Sequence, residues 1–194
     1  MAGEDDRCLI LTTPTIDPEI VLRAIRTLYQ DEYQTSLDTV RDFWLDRLPI
    51  AENPDEHPSL TNFEVFRLVA DPSSPGRFPG YPALGLAMSD LRSMENSFRA
   101  QQLINDWQLP LALVYYLRGI DSEYLSILVM RHTRATLDLI ERFPFFGLND
   151  VGLTVVDIGT PSIRPSSSIL DSDGTSLVKG VLFEFNIRFQ GFGF

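Results

Sequence analysis

The chain has 194 residues, 44% of them hydrophobic and 22% charged, with a formal net charge of −11. That is enough chain for one domain with a real core, it holds no apolar run near the ~20 residues of a membrane helix, and its acidic start, MAGEDDRCLI, lacks the basic region and apolar stretch of a signal peptide. The charge argues against gripping phosphates as the main role, though an acidic surface lets DNA pass without sticking.

In chain order, residues 1–14 read as an N-terminal arm. Cys8, the single cysteine, excludes an intrachain disulfide, and it is read as a small apolar residue rather than a nucleophile. Asp17-Pro18-Glu19 is a helix start, with a capping side chain, a proline suited to the first turn and an acid at the positive end of the dipole. Val21, Leu22, Ile25, Leu28 and Tyr29 form a helical stripe, which resumes at Leu37, Val40, Trp44 and Leu48. The polar stretch from Gln30 to Ser36 leaves open one long helix or two. Residues 49–61 hold three prolines and three acids and form a loop.

Phe63, Val65, Phe66 and Leu68 predict a first strand. Residues 71–82, DPSSPGRFPGYP, are irregular, and Ala83 to Met88 predict a second strand. Residues 89–107 read as helix or irregular segment. Leu109 to Leu117, LPLALVYYL, is a buried central strand, with Pro110 tolerable near its start. Asp121 caps a helix in which Leu125, Leu128, His132, Ala135 and Leu139 share one face, and Pro144 and Gly147 stop it. Val151 to Ile158 is a strand, residues 159–176 are a long polar excursion, and Leu177 onwards is a long strand with one apolar and one mostly polar face. Val181, Phe183, Phe185, Ile187 and Phe189 fall on one face, and Gly180, Leu182, Glu184, Asn186, Arg188 and Gln190 on the other.

The elements predict a single α+β domain over residues 1–194. Its mixed, mainly antiparallel sheet carries helices on one face and ends in a β-hairpin with an extended loop at 159–176. Long connections of this kind tend to be functional or disordered.

No motif carries recognisable chemistry. His57 sits in the acidic proline-rich loop. His132 has Leu128 and Thr136 four residues away on either side, where a metal site would want a histidine or carboxylate, so it is read as a satisfied core residue. Asp171-Ser172-Asp173-Gly174 starts like a calcium loop but lacks its later ligands, and reads as a tight turn. The run Ser166-Ser167-Ser168 is read as loop. There is no nucleophile elbow, phosphate loop or dinucleotide fingerprint. No cofactor, no metal site and no enzymatic activity are expected.

The central LPLALVYYL strand, the helix from Asp121 to Phe143 and GVLFEFNIRF at 180–189 stand in an order that resembles the tail terminator and tail-completion proteins of tailed-bacteriophage necks. The likeness is one of organisation over roughly residues 15–190. It implies a homo-oligomeric ring, typically a hexamer, that caps the tail tube, joins it to the head connector, and lets DNA through its lumen without specific binding. It implies a virion protein made in the host cytoplasm, with no membrane association. On that reading the 159–176 excursion reaches a neighbouring subunit or tube protein through Ile163, Arg164, Ile169 and Leu170. Phe192 and Phe194 either dock into a neighbour or cover the end of the core. The competing readings are another phage structural part, such as a head–tail stopper or baseplate protein, and a small cytoplasmic hydrolase or binding protein using His132 with a nearby acid.

Overall fold

The structure is a computed structural model and describes residues 18–45, 61–68, 79–88, 92–93, 104–119, 121–151, 154–171 and 173–192. In chain order the elements are α1 (Pro18–Leu45), β1 (Val65–Leu68), β2 (Ala83–Met88), β3 (Arg92–Ser93), β4 (Ile104–Gly119), α2 (Ser122–Arg142), a 3-10 turn (Leu148–Val151), β5 (Val155–Ile158), β6 (Ser162–Pro165), β7 (Ile169–Leu170) and β8 (Leu177–Phe192).

The two longest strands, β4 and β8, are 16 residues each and pair antiparallel from Ile104↔Phe192 to Gly119↔Leu177. Their alternation puts Leu109, Leu111, Leu113, Tyr115 and Leu117 on the same face as Val181, Phe183, Phe185, Ile187 and Phe189, and every one of these is buried. Around this ribbon the sheet runs β1-β2-β4-β8-β5, with β3 on β4 and β6 and β7 also on β8. Only the β1–β2 pair is parallel. The sheet is therefore mixed and mainly antiparallel, and both helices lie on its apolar face.

The first helix is continuous through the polar stretch Gln30–Ser36. Tyr33 and Ser36 sit within that stretch at buried positions, so the stripe runs on from Tyr29 to Leu37 and no turn is needed. The second helix is capped as the sequence predicts. Asp121 accepts hydrogen bonds from the backbone N–H groups of Glu123 (2.8 Å) and Tyr124 (3.3 Å). Arg142, in the last turn of α2, reaches across to α1. It donates to the Ser36 hydroxyl (2.7 Å) and the Glu32 carbonyl (3.1 Å), and it also pairs with Asp138. Phe146, at φ 50°, and Gly147, at φ 68°, turn the chain out of the helix and leave the Phe146 ring fully buried against Phe185.

Several expectations are corrected. The region read as helix or irregular at 89–107 contributes β3 and the first residues of β4, so the central strand starts at Ile104 and not Leu109. Its partner, the Arg188–Phe192 end of β8, holds this start in extended form. The strand expected from Val151 begins at Val155, because 148–151 form the 3-10 turn. The excursion at 159–176 is not a free loop, since β6 and β7 fold back along the edge of β8. Asp17, the arm at 1–14 with Cys8, His57, most of the 49–61 and 71–82 loops, and Phe194 lie outside the described residues.

Truncating the core at Phe183→Ala should cost about 3–5 kcal/mol, and removing the cap with Asp121→Ala about 1 kcal/mol. Urea unfolding of the two variants should reproduce that order.

Candidate functional site

Two features of the described residues bear on the sequence-predicted site residues: a cleft containing His132, and the sheet edge built by β5, β6 and β7.

The cleft has a volume of about 600 Å³ and is lined by Glu64, Arg118, Tyr124, His132, Asp171 and Asp173, among others. Its charged side chains are largely committed to one another. Arg118, on β4, pairs with Asp171 (3.3 Å) and Asp173 and donates to the Ser176 hydroxyl (3.1 Å). Asp173 sits in the turn closed by the Gly174 N–H to Asp171 carbonyl bond (2.9 Å), with Gly174 at φ 69°. This is the tight turn the sequence predicts. The backbone N–H groups of Thr175 and Ser176, helped by the Ser176 hydroxyl and Arg118, hold the Asp173 carboxyl well below the usual carboxylate range.

His132 is fully buried. Its Nδ1 lies 3.0 Å from the Tyr33 hydroxyl, which is also 3.1 Å from the His132 carbonyl oxygen and 3.4 Å from Thr136 Oγ1. The arrangement that satisfies most groups has Tyr33 donating to the carbonyl and Nδ1–H donating to Tyr33. Nε2 is then a bare acceptor without a partner among the described residues. Burial pushes the imidazole down to about 3, so the ring is neutral at pH 7. It is packed among Tyr33, Phe63 and Tyr115. No carboxylate among the described residues touches it, and its hydrogen-bond partner is a tyrosine that burial holds well above its ordinary pKa. Among the described residues no three of His, Cys, Asp and Glu are grouped to hold a metal ion.

The sheet edge is a different kind of surface. The three short strands β5, β6 and β7 follow one another along β8, and no described strand pairs with their outer side. Ser166 fixes the path between β6 and β7: its N–H donates to the Gly180 carbonyl (2.9 Å) and its hydroxyl accepts from the Gly180 N–H (2.8 Å). Gly180 suits this close approach, because a Cβ would lie 3.0 Å from the Tyr116 ring, which would have to give by a few tenths of an ångström. Arg164 crosses to pair with Glu184. Four large apolar side chains stand exposed along this edge: Val156 at 46%, Ile163 at 38%, Ile169 at 42% and Leu170 at 63%. Ile163, Arg164, Ile169 and Leu170, named from the sequence as contact residues, are thus brought onto one continuous edge. Phe192 sits away from it, at the far end of β8 opposite Ile104.

Sequence reading missed Val156. A register shift between Val155 and Asp157 leaves it without a partner across the ladder, a bulge that no local sequence pattern announces.

No protein-family model matches the chain, and no curated protein matches it significantly.

A histidine that stays neutral when folded but binds a proton when unfolded destabilises the fold as pH falls from about 6.5 towards 3, because the unfolded state then holds the extra proton. The contribution approaches about 1.4 kcal/mol per pH unit inside that window. His132→Leu should flatten the acid limb of stability against pH relative to the parent chain. Urea titrations at pH 7, 5.5 and 4.5 measure the difference, and parallel curves would mean that His132 is not the group responsible.

Proposed function

We propose that the protein is a ring-forming structural component of a tailed-bacteriophage neck, a tail terminator that caps the tail tube and joins it to the head connector. The observation that carries this reading is the open β5–β6–β7 edge with its exposed apolar side chains, Ile163 and Leu170 on the helix side of the sheet and Ile169 on the other. Unpaired strand edges bearing apolar residues invite strand addition or clamping by another chain, and a protein kept for assembly has a use for them. The order of elements fits the resemblance as well: a long first helix, a buried central strand, an amphipathic helix on the same sheet face, and a late hairpin ending in an alternating strand.

The electrostatics suit the role. A ring with a net charge of −11 per chain offers DNA little to adhere to as it passes. The hydrolase reading draws no support from His132, whose ring is buried, neutral and without a carboxylate neighbour among the described residues.

Light scattering of the purified protein over a range of concentrations tests the reading. The parent chain should reach a mass several times that of one chain. The double variant Ile163→Asp, Leu170→Asp should remain a monomer with an unchanged circular dichroism spectrum and a stability within about 0.5 kcal/mol of the parent, since both positions are exposed. An assembly mass unaffected by the two aspartates would overturn the role given to this edge.

A further inference from the structure

The sheet has a second open edge. Strand β1 ends the order on the side opposite β5–β6–β7, and no described strand pairs with its outer side. Between β1 and α1 lies a cleft of about 440 Å³. Leu22, Phe66 and Leu86 form its apolar lining, and Glu19, Arg23, Arg26 and Arg67 its charged lining, three cations to one acid. Arg23 is paired with Glu19 four residues earlier in the helix. Arg26 and Arg67 are exposed and have no ion-pair or hydrogen-bond partner among the described residues. In a chain this acidic, two guanidinium groups without a partner among the described residues, beside an apolar lining, mark a place for an acid carried beside an apolar side chain.

The opposite edge carries that combination. At the β5 bulge Val156 protrudes, and next to it Asp157 is exposed; it lies opposite Arg188 in the ladder but makes no ion pair or hydrogen bond among the described residues. The other charges of the edge are spent internally, Arg164 on Glu184 and Arg118 on Asp171 and Asp173.

We propose that the cleft between α1 and β1 receives the β5 bulge of a second copy of this chain, with Val156 meeting the apolar lining and Asp157 pairing with Arg26 and Arg67. This rests on the ring reading above and gives it a specific contact. Pairing of β1 with another β1 would bring Arg26 and Arg67 against their own copies, and like charges across adjoining strands destabilise. Joining the two unlike edges is heterologous, and a heterologous contact closes into a ring when its rotation permits.

A charge swap tests the contact. Arg67→Glu and Asp157→Arg should each raise the concentration needed for assembly on the order of tenfold, the effect of losing one well-placed interfacial ion pair. The chain carrying both changes should return close to the parent value. In a Cys8→Ser background, Arg67→Cys combined with Asp157→Cys should give a ladder of disulfide-linked oligomers under mild oxidation, and neither single cysteine should do so. Rings that persist in both single-charge variants, or a double variant that stays as weak as either single one, would overturn this contact and leave the ring reading standing. A parent chain that never assembles would overturn both.

Discussion

Everything in this fold hangs on the pairing of β4 with β8. Sixteen residues on each strand are in register, and the pair supplies most of the apolar surface on which the helices rest. Because side chains alternate along a strand, one register decides which residues enter the core. A slip by one residue would turn Phe183 and Phe185 to the outer face and bring Glu184 under α2. The aromatic packing of Phe183 with Tyr115 and of Phe185 with Phe146 locks that choice.

The two helices are then tied to each other by polar contacts that suit the shape left over. Tyr33 meets His132 in the middle of the crossing, and Arg142 meets Ser36 and Glu32 towards the end of α2. His132 is costly to bury, and its single nitrogen contact only partly offsets that cost. Its value is geometric, since it gives the Tyr33 hydroxyl a partner and fills a space bounded by aromatic rings. A residue that sequence alone offers as a catalytic candidate is thereby accounted for by packing.

How much of this was legible in the sequence depends on where the deciding interaction lies. The alternation after Leu177, the apolar run at 109–117 and the stripe from Leu125 to Leu139 are local patterns, and each became the element it predicted. The start of β4, Ile104–Gln108, has no apolar alternation of its own and is held as strand by its pairing with residues 188–192. Strands β6 and β7 were hidden for the same reason. Ser162–Pro165 has neither apolar alternation nor a free proline N–H to offer, and it becomes a strand because β8 lies beside it. At the candidate site, Ile163, Ile169 and Leu170 were visible as apolar residues within a polar stretch. Arg26 and Arg67 were not, because a helix and a distant strand bring them together only in space.

Among the described residues the sheet has two unlike open edges, one bulged and apolar with an exposed acid, the other lined by arginine. A sheet finished in this way is suited to head-to-tail joining. Electron microscopy of the purified protein at concentrations above its assembly threshold tests this most directly. Closed rings with a central lumen and a single rotational symmetry are the expected result. Particles of one chain at every concentration, or pairs related by a twofold axis, would contradict it.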